Sequence, residues 1–244
     1  MLKRTLDIVA ALAGLLVLWP FLLLFILLVW LQDFASPFYI APRARRRGQS
    51  FNMVKLRSMV KNADKKGGSS TAVTDRRITW VGKLIRKTKF DEVPQLLNVL
   101  MGDMSLVGPR PQVMGDVALY TEEEYHLLDI RPGITDIASI VFADEGNILA
   151  GKPDPDLAYN QLIRPYKSRL GLLYIEHSGV LLDVRLIFLT LLSAFKRRAA
   201  LDRVSAIVAG LGASPDLVAV AARRTPLQPA PPPGASEIVT GRGM

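Results

Sequence analysis

Hydrophobic positions are concentrated at the front of the chain. Residues 8–31, IVAALAGLLVLWPFLLLFILLVWL, carry no charged side chain, and a straight helix needs about 20 such residues to cross the hydrocarbon core of a bilayer. Each Leu, Ile, Phe or Val contributes roughly −0.3 to −0.6 kcal/mol at the centre of an inserted helix, so the run sums to on the order of −5 to −10 kcal/mol. The segment belongs in lipid. Lys3 and Arg4 precede it, and Arg43, Arg45, Arg46 and Arg47 follow it. Basic residues prefer the cytoplasmic side, and here both flanks are basic. Pro20, near the midpoint, removes one helical hydrogen bond and permits a sharp bend. The pattern therefore predicts a re-entrant helix–break–helix anchor over residues 1–36, kinked at Pro20, in preference to a spanning helix. A cleaved signal peptide fits poorly, because the run is too long and no small-x-small site follows it.

Beyond the anchor the periodicity shortens. Residues 38–60 read as a β-hairpin: Phe38-Tyr39-Ile40, a basic turn through Gly48, then Phe51 to Met59. Lys61 to Ser70 is a polar, glycine-containing loop. Thr79 to Lys87 reads as a helix leading into Asp91, which could cap a second helix, with Pro94 in its first turn, running to about Met101. Thr121 to Leu128 suits a short helix, Ile137 to Phe142 a short strand, and 156–176 a helical stretch interrupted at Pro165. Leu181 to Ala200 is amphipathic and ends in Lys196-Arg197-Arg198. It serves equally as a core helix with a basic C-terminal cap or as a helix lying on a membrane surface. After residue 201 the composition turns Ala-, Pro- and Gly-rich, which predicts a weakly ordered tail over 201–244. Residues 37–200 are then the catalytic domain. The expected fold is mostly α with a small β component (α+β): a membrane anchor, a compact cytosolic domain and surface amphipathic helices.

Charge and composition narrow the chemistry. The formal net charge of +9 over 244 residues favours anionic partners such as lipid headgroups or phosphorylated substrates. No nucleic-acid motif is present, so nucleic acid is not expected as a partner. The absence of cysteine excludes disulfides, thiolate metal sites and a cysteine nucleophile, and His126 and His177 are the only histidines.

The candidate chemistry lies in residues 86–111, RKTKFDEVPQLLNVLMGDMSLVGPRP. Asp91 and Glu92 are adjacent there, with Arg86 before them and Arg110 after. Consecutive helical residues diverge by about 100°, so the two carboxylates cannot address one atom. One can attack phosphorus while its neighbour holds a divalent cation, for which Mg²⁺ suits carboxylate and phosphate oxygens. An approaching diphosphate must be neutralised, and surrounding arginines serve that purpose. A helix N-terminus here would add partial positive charge.

From the N-terminus to about residue 198 the chain resembles the bacterial polyprenyl-phosphate phosphoglycosyl transferases, the monotopic initiating sugar transferases. The resemblance rests on Asp91-Glu92-Val93-Pro94-Gln95-Leu96, Lys55-Leu56-Arg57-Ser58-Met59, residues 75–82, residues 101–111 and Arg131-Pro132-Gly133-Ile134-Thr135, in that order. It implies transfer of a sugar 1-phosphate from a UDP-sugar to polyprenyl (undecaprenyl) phosphate at the cytoplasmic face of a bacterial inner membrane. UMP would leave, and the product would start a glycoconjugate or exopolysaccharide. It further implies Asp91 as nucleophile, Glu92 as Mg²⁺ ligand, and Arg86, Arg110, Lys55, Arg57 and Arg131 as phosphate- or nucleotide-binding residues. The sequence departs from the usual pattern at Lys89-Phe90, where Ser-Leu is common, and at Asp136-Ile137 and Ala143-Asp144-Glu145, where Gly-Trp and Asn-Gly are common. These departures bear on which sugar is taken. Without catalysis, the same chain would be a basic, membrane-anchored binding or scaffold protein.

Overall fold

The apolar run folds as one helix, α1 (Leu2–Leu31), in a computed structural model that describes residues 2–66 and 70–241. The break expected at Pro20 is absent, and the helix continues through it. The proline sacrifices one backbone bond, which long apolar helices tolerate when neighbouring groups hold the rest of the helix. Here the domain grips it at both ends. Near the start, Lys3 Nζ pairs with Asp183 at 2.5 Å and donates to Val107 O at 3.0 Å. Arg4 donates to Val99 O and Leu100 O. Asp7, 2% exposed, accepts from Ser105 Oγ and the Leu106 N–H. Near the end, Val29 packs with Leu56, Val81 and Ile85. Just beyond it, Arg57 holds Asp33 at 2.5 and 2.6 Å and Ser36 O at 2.8 Å. Leu12, Leu16, Val17, Trp19, Leu23, Leu24 and Leu27 of α1 are exposed.

The hairpin forms as expected, with β1 (Phe38–Ala44) antiparallel to β2 (Ser50–Leu56) and Tyr39 opposite Lys55. Its turn uses Arg47 and Gly48, both at positive φ. The polar loop after it contains a short 3₁₀ turn at Ala63–Lys66, and residues 67–69 of that stretch lie outside the described residues. Next come α2 (Trp80–Thr88), α3 (Gln95–Met101), β3 (Ser105–Val107), α4 (Met114–Val117) and α5 (Glu122–Tyr125). β3 pairs in parallel with β4 (Gly133–Thr135), giving a second two-stranded sheet.

The strand expected at 137–142 is a helix, α6 (Ile137–Val141). A short apolar run does not distinguish the two states by periodicity. The deciding residue is Asp136, whose side chain caps the helix by accepting from the Ser139 N–H at 2.6 Å. α7 (Glu145–Ile148), α8 (Pro155–Leu162) and α9 (Arg164–Glu176) follow. The interruption expected at Pro165 falls two residues earlier, at Ile163, and Pro165 sits in the first turn of α9, where its missing N–H costs nothing.

The amphipathic stretch forms α10 (Val180–Phe195), with one face in the core and one exposed. Leu182, Leu186 and Leu189 are in the core, while Leu181, Val184, Phe188, Leu191 and Phe195 form an exposed apolar stripe. Lys196-Arg197-Arg198 does not end helical structure, because a new helix, α11 (Arg197–Gly210), starts at once and is followed by α12 (Pro215–Ala222). The weakly ordered tail expected over 201–244 is thus partly core. Val204, Val208, Leu217 and Ala221 join the main cluster with Ile140, Leu170 and Leu186. Alanine and valine at helical spacing supply that contact despite a composition that suggests disorder. From Arg223 the chain is extended and runs back over the domain: Tyr166 Oη and Arg169 donate to Gln228 O and Pro231 O, and Thr121 Oγ1 to Pro233 O.

Candidate active site

α2 is capped by Thr79, whose hydroxyl accepts from the Gly82 N–H at 3.0 Å. The helix ends at Lys89, held at φ +60°. That left-handed residue turns the chain into a single 3₁₀ turn, Phe90–Glu92, which carries the carboxylate pair. Pro94, at a helical φ of −61°, takes the N-cap position of α3. The expected role of Asp91 as that cap is not met: the dyad has its own turn upstream, and no side-chain bond caps α3.

Asn98 fixes what surrounds the dyad. Its side chain accepts from the Val54 N–H at 3.0 Å and donates to Asn52 O at 2.8 Å, binding α3 to β2. Lys55 of β2 then reaches Glu92 Oε1 at 3.3 Å. Arg110 comes from the other sheet. Gly108 and Gly133 let β3 and β4 approach so closely that a Cβ on Gly133 would lie 2.1 Å from Gly108 N. The strand is thereby fixed two residues before Arg110, whose Nη2 reaches Glu92 Oε1 at 2.5 Å.

The two carboxylates end in opposite electrostatic states. Burial works against the charged form of Glu92, but the Arg110 guanidinium and the Lys55 ammonium outweigh it and hold its carboxyl far below the usual range. Glu92 in turn raises Arg110. Burial lowers the Lys55 pKa, with Glu92 opposing. Asp91 is 8% exposed and its Oδ1 has no hydrogen-bond partner. Burial pushes its carboxyl up; Lys55 pulls down, and the charge of Glu92 adds to the rise. Adjacent titratable groups driven apart in this way divide roles: Glu92 is a fixed, neutralised anion, and Asp91 is a poorly solvated carboxylate with a free oxygen.

No group of three or more His, Asp or Glu suited to a metal ion occurs among the described residues. Glu92 accepts both cations on Oε1, and its Oε2 carries no hydrogen bond among the described residues. That donor set fits Mg²⁺, which is commonly bound by one or two carboxylates plus substrate phosphates, and does not form an all-protein cage.

Two adjoining cavities share Arg110, the partner of Glu92. A polar cleft of about 580 Å³ includes Arg43, Lys55, Arg110, Glu145, Tyr159 and Lys167 in its lining. A more apolar one of about 740 Å³ lies behind Arg110 and is lined by Pro109, Pro111, Tyr120, Leu127, Ile130 and others.

Of the residues singled out in the sequence, Asp91, Glu92, Lys55 and Arg110 converge. Arg86, on the last turn of α2, is half-buried, and its charge acts on Asp91 without a direct pairing among the described residues. Arg57 does not join them. It lies just past the end of β2 and is spent on Asp33 and Ser36 at the end of the anchor. Arg131 is exposed and lines neither cavity, since its contribution is backbone packed against Gly108. Arg43, Tyr159, Glu145 and Lys167 were missed. Arg43 was visible in principle, since it faces the same side of the hairpin as Lys55 through period-two alternation. The other three come from distant segments that only the tertiary fold joins.

Residues 1–197 match the family described as bacterial sugar transferase. An exopolysaccharide production protein PSS of Rhizobium leguminosarum bv. phaseoli is 37% identical over 207 residues, covering 80% of this chain and 96% of that protein. The sugar transferase EpsL of Bacillus subtilis is 36% identical over 190 residues, 78% of this chain and 85% of its own length. An undecaprenyl-phosphate glucose phosphotransferase of Komagataeibacter xylinus is 35% identical over 196 residues, 78% of this chain and 35% of that longer protein.

Proposed function

Because the chain belongs to the bacterial sugar transferase family, we propose that it moves a sugar 1-phosphate from a UDP-sugar to polyprenyl (undecaprenyl) phosphate through a covalent intermediate on Asp91. One observation carries this reading: a buried Asp91 Oδ1 without a partner beside a Glu92 already neutralised by Lys55 and Arg110. A carboxylate that is neither paired nor hydrogen-bonded keeps its lone pairs for attack.

In the first half-reaction Asp91 Oδ1 bonds to the β-phosphorus of the donor, the bond from that phosphorus to the bridging oxygen breaks, and UMP leaves with the electron pair. In the second, an oxygen of polyprenyl phosphate attacks the phosphorus of the acyl phosphate. The Asp91 carboxylate is released as the diphosphate linkage of the product forms. Arg110 and Lys55 meet phosphate oxygens in both steps, with Arg86 adding longer-range positive potential. Glu92 would be the residue to hold Mg²⁺, which would supply further charge neutralisation when bound.

The exposed apolar rows of α1 and α10 support placing that side of the protein against lipid. Basic residues at both flanks of α1 favour the cytoplasmic face. The decisive test mixes the full-length protein with UDP-sugars and Mg²⁺, following UMP release and intact mass. We expect UMP and a sugar-phosphate adduct, both abolished in Asp91→Asn. An adduct that persists in that variant overturns the assignment.

A further inference from the structure

We propose that Glu145 and Lys167 form the wall of the cleft that reads the transferred sugar, and that this wall is fitted to a neutral hexose with free hydroxyls. The inference rests on the UDP-sugar reading above and deepens it. Both residues line the polar cleft together with Lys55 and Arg110, the side chains that hold Glu92. A donor whose phosphates lie on Arg110 therefore presents its next group, the sugar, to this cleft.

The pair is built to offer hydrogen bonds. Lys167 Nζ binds Glu145 Oε2, which leaves Glu145 Oε1 and the remaining ammonium N–H groups without partners among the described residues. Lys167 also lies 5.2 Å from the centre of the Tyr159 ring, itself part of the cleft. Burial opposes charge on Glu145, but Lys167 and Arg110 outweigh it and keep it ionised.

The wall is also held in place. Asp144, next in sequence, pairs with Arg197 at 2.7 Å and Arg223 at 3.2 Å. Arg223 lies beyond residue 197, where the family match ends. Part of the chain outside the shared family region thus braces the wall.

A carboxylate oxygen beside ammonium N–H groups complements neighbouring hydroxyls, which can donate to one and accept from the other. An acetamido group would keep an N–H and a carbonyl for these partners but add bulk and a methyl that desolvates the charged pair, and a uronic acid would set a second carboxylate against Glu145.

The experiment uses the full-length protein in lipid nanodiscs, with UDP-glucose, UDP-galactose, UDP-N-acetylglucosamine and UDP-N-acetylgalactosamine. Initial UMP release is measured for each donor, and UMP affinity by calorimetry. The wild type should prefer the two hexoses. Glu145→Gln should lower kcat/KM for them by about tenfold or more, with a much smaller change for the acetamido donors and unchanged affinity for UMP, which lacks the sugar. Glu145→Asp keeps the charge but shortens the reach. It should show the same selective loss with the wild-type melting temperature, whereas a purely structural ion pair would be rescued. A wild type preferring acetamido donors, an equal loss on all donors, or a parallel fall in UMP affinity overturns this inference while leaving Asp91 chemistry intact. A wild type releasing UMP from none of the donors overturns the underlying reading as well.

Discussion

The segment after residue 197 offers a sharp test of the fold, because its composition suggests a loose tail and its packing makes it core. Val204 and Val208 are each 0% exposed and lie one turn apart on α11, facing the cluster that contains Ile140 and Leu186. The perturbation is the double variant Val204→Ala/Val208→Ala. Each change removes the equivalent of two buried methylenes, about 1.6 kcal/mol in transfer terms, and the unfilled space adds a cavity cost. The pair sums to about 3–6 kcal/mol, reduced where the two sites relax together. For a chain of this size each kcal/mol shifts the melting temperature by about 2–4 °C, so a drop on the order of 6–20 °C is expected. The assay is thermal unfolding of the purified protein in nanodiscs, with Arg203→Ala on the exposed face of α11 as the control. A weakly ordered tail would leave both variants at the wild-type temperature. A shift below about 2 °C in the double variant, within the range of a surface substitution, would refute the packing argument.

Other expectations follow from the site and its supports. Lys55 pulls the Asp91 carboxyl down against burial, so Lys55→Met should make Asp91 harder to ionise. The acid limb of the pH–rate profile for adduct formation then moves to higher pH; a limb that stays or moves lower contradicts the charge assignment. Gly133→Ala sets a Cβ 2.5 Å from Gly108 O, an overpacking that should cost about 1–3 kcal/mol and displace Arg110. A variant with unchanged melting temperature and UMP release would show that the strand pair does not place Arg110. Phe90→Ala removes ring contacts to Phe25 at 4.9 Å and Phe21 at 6.2 Å, each worth about 0.5–1.5 kcal/mol beyond area burial. Transfer to the lipid acceptor should fall more than the initial burst of UMP, and equal losses in both half-reactions would count against coupling of anchor to dyad.

The sequence made some of this legible and concealed the rest for identifiable reasons. The anchor, the hairpin and α2 are local: an uncharged run, period-two alternation and a Thr79 cap each declare themselves within a few residues. Helical geometry alone led to the expectation that Asp91 and Glu92 differ, and their surroundings do, though the turn that carries them is set by a left-handed Lys89 with no glycine to announce it. Lys55 and Arg110 were found, but Arg57, two residues along the same strand segment, was misplaced. Its partner Asp33 lies at the end of the anchor, a pairing that depends on how α1 docks. α6 was misread because five apolar residues fit either element until Asp136 is seen to cap them. Glu145 stood out in the sequence only as part of a departure from the usual pattern, and Tyr159 and Lys167 carry no motif, so the packing of α7, α8 and α9 was needed to reveal their cleft.

The docking of α1 bears on the proposed two-step chemistry. At 1.5 Å per residue its 30 residues span about 45 Å, more than the roughly 30 Å of a hydrocarbon core. A transverse helix of that length would separate its ends by the bilayer, but here Lys3 and Arg4 at one end and Asp33 just beyond the other all bond to the same domain. Contacts continue between them, through Ala11 to Leu96 and through Phe25 to Phe90. To cross, α1 would carry these elements into lipid, with the buried charges of Asp7 and Asp183 among them, at a cost of several kcal/mol per polar group. The arrangement that would leave every contact intact lays α1 along the boundary with its exposed leucines in the lipid. Phe25 of α1 packs on Phe90, the residue next to Asp91, so in the proposed reading a water-soluble donor and a lipid-borne phosphate would each reach the free carboxylate oxygen in turn. The proposed covalent hold on the sugar phosphate would remove any need for both to be there at once.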